Sequence, residues 1–292
     1  MRDGASAAPG LRSHLRSLSR TFANGVAAFT GGWWLLPLTA IAVPSLVPPA
    51  GGLKWLGGWQ VTLRLRRSGY TIRVRLDEMW GCVEVFAQAV YDAGQIDWDH
   101  VRSVLDIGAN NGTTALWFAS RASGAHVLAL EPCAETAARA KANILRNGLQ
   151  DRVRVVVAAV AGAHGPVRVI PGPNSRLTRV GPSTGAGGDL VQGLTFDEAL
   201  DLAGGWVDVV KVDCEGAEYD IFASAGRAAL KACGIIVGEF HPASSSVQGD
   251  LFERLRSAGF KVSVTPDSCV AGLEQGTFVA WRDGRCEPPL HG

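Results

Sequence analysis

Net charge is almost absent from this chain: 28 lysines and arginines face 27 aspartates and glutamates, which leaves +1 at neutral pH. That balance gives no general basic field, so bulk nucleic-acid binding is excluded as a main task. Charge of either sign is also scarce, at 19% of residues against about 25% in an ordinary soluble protein. Part of the deficit sits in one segment, Gly25 to Leu53, which contains no charged residue. Cysteine signals are missing too. The six cysteines, at positions 82, 133, 214, 233, 269 and 286, form no C-x-x-C pair and have no histidines at zinc-finger spacing. They read as reduced, buried thiols of a cytoplasmic protein. None of the three tyrosines, Tyr70, Tyr91 and Tyr219, has a lysine four residues on. One common hydride-transfer signature, Tyr-x-x-x-Lys, is therefore absent.

The uncharged segment has the length for a membrane span, which needs about 20 apolar residues. Pro37, Pro44, Pro48 and Pro49 interrupt it, and proline breaks a straight helix. Arg12, Arg16 and Arg20 flank it on one side and Lys54, Arg64, Arg66 and Arg67 on the other. Basic residues on both sides favour both ends staying cytoplasmic, which suits a re-entrant or interfacial hairpin better than a span. Three readings stay open: contact with a membrane surface through residues 25–53, an arm that packs on the domain or on a second subunit, and a secretory signal. The last lacks a convincing A-x-A cleavage site. Residues 1–54 are accordingly read as a basic then apolar N-terminal arm.

Residues 55–100 read as an extension. Val61, Leu63, Leu65, Ile72, Val74 and Leu76 alternate with polar residues around Ser68-Gly69, the pattern of a β-hairpin. Arg64, Arg66, Arg73 and Arg75 fall on its outward face, most simply a solvated one. Residues 80–93 are expected to be helical, with Val83, Phe86 and Val90 on one side.

From residue 101 to 285 the pattern becomes strand–helix–strand. Strands are expected at 101–107, 127–130, 153–160, 206–212, 235–240, 261–264 and 277–281, and helices at 113–121, 134–146 and 217–230. Val247, Leu251, Leu255 and Ala258 mark a further helical face, which Gly259 ends. Repeated β-α-β units imply an α/β fold with a mainly parallel, doubly wound sheet. Residues 171–193, rich in Gly, Pro, Ser and Thr, are expected to be a loop or irregular insert that shapes an acceptor pocket, with Arg176 and Arg179 in it.

Chemistry concentrates at the expected strand ends. The first strand runs into Asp106-Ile107-Gly108-Ala109-Asn110-Asn111-Gly112. Glycines there let a ligand approach the backbone. The middle glycine of the dinucleotide fingerprint is replaced by Asn110, which argues against a pyrophosphate cradle. Asp106 could accept turn amides or, through water, a ligand ammonium. The second strand ends in Glu131-Pro132, where a carboxylate suits the two hydroxyls of a ribose. The third ends in Ala158-Ala159-Val160, small residues fit for an adenine pocket and equally ordinary in a core. The fourth carries Lys211-Val212-Asp213-Cys214-Glu215-Gly216-Ala217-Glu218, and the fifth ends in Glu239-Phe240-His241. Acids this close repel one another, so a purely structural strand end rarely gathers them.

Together the turn Asp106–Gly112, Glu131-Pro132, Asn143 with Asn147-Gly148, Thr195-Phe196-Asp197, the Lys211–Glu218 run and Glu239–His241 resemble the FkbM-type family of methyltransferases. The resemblance covers roughly residues 80–265, and the Lys-x-Asp-x-Glu-Gly-x-Glu run is its most discriminating part. It implies a seven-stranded sheet of the class I methyltransferase type, S-adenosylmethionine as cofactor, and transfer of methyl to an oxygen of a secondary metabolite, sugar or lipid-linked glycan. On this reading Asp106, Gly108, Asn110, Gly112, Glu131, Ala159 and Asp213 hold the cofactor. Asp213 and His241 are candidate proton acceptors, with Glu239 in support. Asp213, Glu215 and Glu239 are candidate ligands for a divalent cation, with oxygen donors favouring Mg²⁺. His241 as a surface or cap residue, and Glu215 and Glu218 as acids bonded to the turn and helix start, remain open alternatives. The expected location is the cytoplasm, peripheral at the membrane face if the arm touches lipid. A homo-oligomer is open. The rival functions are a binding module that keeps the cofactor pocket without transfer, and a nicotinamide oxidoreductase.

Overall fold

The computed structural model describes residues 28–30, 58–170, 172, 178–184, 187–270 and 273–282. The chain divides into two compact units, Met1–Ala89 and Val90–Gly292.

In the first unit β1 (Phe29–Thr30), β2 (Gln60–Leu65) and β3 (Thr71–Arg75) form an antiparallel sheet in that order. The expected hairpin is present. Leu63, Leu65, Ile72 and Val74 are buried while Arg64 and Arg73 face outward, the period of two that a half-buried strand requires. Phe29 pairs with Leu65 and meets Phe86 edge to face at 6.0 Å. The helix expected over 80–93 is shorter and irregular. A 3-10 turn at Leu76–Glu78 leads into α1 (Met79–Cys82), which widens to a π-helix at Val83–Gln88. Ala89, left-handed at φ 53°, stops it. Gly81 and the β-branched Val83 and Val85 are weak α-formers, which explains the short regular stretch. Residues 1–27 and 31–57, and with them most of the proposed arm, lie outside the described residues. Among the described residues no helix is long and apolar enough to cross a membrane.

The second unit holds β4 (Ser103–Ile107), α2 (Thr113–Arg121), β5 (His126–Leu130), α3 (Ala134–Arg146), β6 (Val153–Val156), β7 (Ala159–Val160), β8 (Gly165–Ile170), β9 (Arg179–Pro182) and β10 (Asp189–Leu194). It continues with α4 (Phe196–Leu202), β11 (Val207–Val212), α5 (Glu218–Ser224), α6 (Arg227–Lys231), β12 (Cys233–Phe240), α7 (Ser245–Ser257), β13 (Lys261–Val270) and β14 (Leu273–Trp281). The seven-stranded sheet expected from the sequence is there, in the order β13-β14-β12-β11-β4-β5-β6. Strands β12, β11, β4, β5 and β6 run parallel, and β14 is antiparallel to both β12 and β13. The chain starts in the middle at β4, steps outward through β5 to β6, then returns to β11 on the other side. Right-handed crossovers in opposite directions put the two sets of helices on opposite faces and open a crevice between β4 and β11. Strand β4 is buried almost throughout, as a strand covered on both faces must be. The core beneath the crevice joins Leu105, Ile107, Val210, Val212 and Ile236 to Phe196, Phe222, Phe240 and Phe278.

Three expectations are corrected. The strand expected over 153–160 is two strands: β6 stays in the main sheet, while β7 pairs with β10 in a four-stranded sheet of order β7-β10-β8-β9. The insert expected over 171–193 contributes β9 and most of β10 to that sheet, where Val180 pairs with Val169 and Val191 with Val167 of β8 despite the surrounding glycines and prolines. Arg176 lies outside the described residues. The single helix expected over 217–230 is broken at Ala225-Gly226 into α5 and α6.

Candidate active site

The glycine turn after β4 folds back on the end of β5. The amides of Gly108 and Ala109 both donate to the Leu130 carbonyl, each at 3.0 Å. Gly108 has φ +77°, and a Cβ there would lie 1.9 Å from the Asp213 carbonyl oxygen, so only glycine fits. Gly112, at φ +84°, starts α2 where a Cβ would press on the Ala140 backbone of α3 at 3.2 Å. Asn110 is left-handed at φ 50°, and its amide donates to Glu131 Oε2 at 2.9 Å. Asn143 of α3 holds the far side of the turn by donating to the Asn111 carbonyl at 3.0 Å.

Glu131 is buried, and its other oxygen accepts the Cys133 amide at 2.9 Å. Burial pushes its pKa up to about 7, against the pull of those two amides. Asp106 differs from expectation. It is fully buried and takes no turn amide, because Leu130 and Glu131 already hold those donors. It accepts from the Thr114 hydroxyl and lies 3.3 Å from Lys211 Nζ. Lys211 also donates to the carbonyls of Ile107 (3.2 Å) and Gly108 (2.7 Å), so it ties the turn to β11 from below. Burial would lower the Lys211 pKa, but Asp106 and Asp213 more than offset this and keep it a cation.

At the ends of β11 and β12 the structure gathers Asp213, Glu215, Glu218, Glu239 and His241. Glu218 is fully buried at the start of α5. One of its oxygens accepts the Gly216 amide at 2.9 Å. The other meets the His241 amide at 2.9 Å and His241 Nδ1 at 3.0 Å. His241 Nε2 then faces Glu215 at 3.5 Å and Asp213 at 3.8 Å. Burial would lower the imidazole pKa, yet the bond and charge of Glu218, followed by Asp213 and Glu215, raise it to about 9. Tyr219 and Gln248 both donate to the His241 carbonyl, which fixes the backbone under the ring. Asp213, Glu239 and His241 each offer a ligand atom within 4.8 Å of the others. Glu215, left-handed at φ 53°, lies against His241 instead of completing that set.

The cleft between these strand ends encloses about 600 Å³, open mouth included, within the range of small-molecule sites. Gly108, Asn110, Glu131, Ala159, Asp213 and Glu215 all line it. Gly112 and Asp106 lie behind the turn and shape it from there. The sequence reading missed Tyr91, whose hydroxyl donates to Glu239 Oε1 at 2.7 Å and lies 3.3 Å from Asp213 Oδ2. It precedes the first strand of the sheet in no motif, so no local pattern marks it. Glu218 carried a signal, but as an acid at a helix start; its hold on His241 required the fold. Cys82 and Cys233 are buried and Cys133 and Cys214 half-buried; the side chain of Cys269 and the whole of Cys286 lie outside the described residues.

Residues 106–262 match the model of the methyltransferase FkbM domain. Over 251 residues the chain is 30% identical to AMB antimetabolite synthetase AmbE of Pseudomonas aeruginosa strain PAO1, an alignment that takes in 70% of this chain. The chain spans 12% of the length of that relative. Among solved structures, precorrin-6y C5,15-methyltransferase from Geobacter metallireducens GS-15 is similar at 15% identity and TM-score 0.39, over 64% of this chain and 84% of that one. The METTL16 MTase domain is similar at 16% identity and TM-score 0.42, over 74% and 75%.

Proposed function

The chain belongs to the methyltransferase FkbM domain family, and from that premise we propose that it transfers a methyl group from S-adenosylmethionine to a hydroxyl oxygen. The observation that carries this reading is the shared cleft. The glycine turn, the buried Glu131 carboxylate and Asp213 come from three adjacent strand ends and open onto one space.

The residues present fit the cofactor. The turn passes close to β11 only because Gly108 has no Cβ, and Gly108 and Asn110 line the cleft beside it. Leu130, Ala158, Ala159 and Val160 offer an apolar wall for a purine, and Glu131 offers acceptors for ribose hydroxyls. When bound, S-adenosylmethionine supplies an electrophilic methyl carbon on a cationic sulfur. Transfer to oxygen leaves one proton to be removed. His241 Nε2 faces the acidic crevice while Glu218 holds Nδ1, the arrangement that orients an imidazole and steadies it once protonated. Asp213 is the alternative acceptor, beside Nε2. A divalent cation such as Mg²⁺ would find its donors in Asp213, Glu239 and His241, provided His241 gave up its proton. The acceptor class we favour is a hydroxyl of a secondary metabolite, sugar or lipid-linked glycan.

Calorimetric titration of S-adenosylhomocysteine into the purified chain tests the cofactor. Micromolar binding, lost in Glu131→Ala, is the expected result; a folded wild-type chain that takes up no ligand would remove the reading. Radiolabel passing from S-adenosylmethionine to a hydroxyl-bearing extract fraction would separate an enzyme from a binding module.

A further inference from the structure

We propose that Tyr91 is a positioning residue of the transfer site, which holds the Glu239 carboxylate in place beside Asp213. The inference rests on the methyltransferase reading for its importance to transfer, but its geometry stands alone. Tyr91 lies outside the segment, residues 106–262, that matches the family model.

Strands β11 and β12 pair with Val212 opposite Gly238, so Asp213 and Glu239 are the next residues on adjacent strand ends. Carboxylates side by side on neighbouring strands repel each other. Left alone, they would turn apart or share a proton. The Tyr91 hydroxyl sits against both, at 2.7 Å from Glu239 and 3.3 Å from Asp213. One hydroxyl hydrogen makes one good bond, and the shorter distance assigns it to Glu239. Burial, and then the charges of Asp213 and Glu239, raise the phenol well above its ordinary pKa, so it keeps that hydrogen at neutral pH, donates, and does not act as the base. The side chain itself cannot swing away. Tyr91 is buried, and the Lys211 ammonium lies 5.6 Å from the centre of its ring. Lys211 is anchored in turn on Asp106 and on the carbonyls of Ile107 and Gly108. A chain of fixed contacts therefore runs from the glycine turn through Lys211 and Tyr91 to Glu239.

A buried tyrosine needs some acceptor for its hydroxyl, and a merely structural Tyr91 would use Glu239 for that alone. Tyr91→Phe separates the two roles, because it keeps the ring and removes only the oxygen. Crystal structures of the full chain, wild type and Tyr91→Phe, give the first readout. The Glu239 carboxylate should leave its wild-type position while the glycine turn and Glu131 superpose; a Glu239 that stays put overturns the proposal. Methyl transfer from radiolabelled S-adenosylmethionine to the extract fraction gives the second. Tyr91→Phe should lower the rate at saturating fraction about 10- to 100-fold, as misplaced catalytic groups do, with little change in the amount needed for half-saturation. Added to Glu239→Gln, the same change should cost almost nothing more, since the two act as one unit. Losses that add in the double variant would make Tyr91 structural and overturn the proposal. If the wild-type chain binds no S-adenosylhomocysteine, the methyltransferase reading fails, and the crystal comparison still decides whether Tyr91 places Glu239.

Discussion

Both oxygens of Glu131 accept a backbone amide before any ligand arrives, one from Asn110 in the glycine turn and one from Cys133 beyond the strand. The carboxylate therefore orders the turn as well as facing the cleft, and Glu131→Ala should loosen both. Its burial matters for a second reason. With a pKa raised to about 7, the side chain is close to half protonated at neutral pH. Ribose hydroxyls are best bound by the ionised form, so binding should draw the proton off. The sign follows: affinity rises with pH and levels off above about 7. S-adenosylhomocysteine should bind about tenfold more weakly at pH 6 than at pH 8, since one unit below its pKa only about a tenth of a carboxyl is ionised. Glu131→Gln should bind weakly at both. Calorimetry at the two pH values checks this, and a wild-type affinity flat across the range would mean that Glu131 does not meet the ligand in ionised form.

Helix α4 shows why part of the sequence signal was structural. Thr195-Phe196-Asp197 stood among the residues that carry the family resemblance, and in the fold they build helix ends. The Thr195 hydroxyl accepts the Glu198 amide and Glu198 reaches back to the Thr195 amide, a complete capping box. Asp197 accepts the Gly226 amide at 2.9 Å, ahead of α6. Thr195→Ala should cost about 1 kcal/mol of stability, the usual loss for an N-cap, and leave S-adenosylhomocysteine affinity unchanged. Urea unfolding and calorimetry together test it; a lost affinity would move this element into the site. The same element scale sets what could be read beforehand. The strands of the large sheet were legible because they are continuous apolar runs ending in glycine or acid, as at Val104–Gly108 and Val209–Asp213. The site residues on those ends were legible for the same reason. The small sheet was not, since β8 to β10 are short, half-exposed and separated by Gly and Pro. The split of 153–160 was hidden because Val153, Val155, Val156, Val157 and Val160 suit a strand and the two alanines between them give no turn signal; only the partner strand β10 draws Ala159–Val160 away. Tyr91 and the Glu218–His241 contact were illegible because they join residues far apart in the chain.

Across the whole molecule the site groups with resolved pKa shifts mostly lean one way. Burial raises Asp106 and Glu131, and neighbouring carboxylates raise His241 in spite of burial. Each binds its proton more tightly in the folded chain than in the unfolded one. Between the ordinary histidine value of about 6.5 and the folded value of about 9, the native state holds a proton on His241 that the unfolded state releases. Linkage then requires stability to fall as pH rises through that window, by at most about 1.4 kcal/mol per pH unit for one proton. The contribution is fully present below about 6.5 and lost by the time pH passes 9. The same titration opposes catalysis at neutral pH if His241 is the base, since a charged imidazole accepts no proton. Transfer should therefore accelerate over the range in which the fold weakens. Urea unfolding at pH 6.5, 7.5 and 8.5 measures the first trend, and transfer rates at the same pH values the second. In His241→Gln the stability slope should flatten over this range. If wild type and variant lose stability in parallel, the alkaline sensitivity belongs to another group, and the Glu218–His241 pair is not holding a proton. If the wild-type rate instead stays level while stability falls, His241 is charged but idle, and Asp213 becomes the proton acceptor.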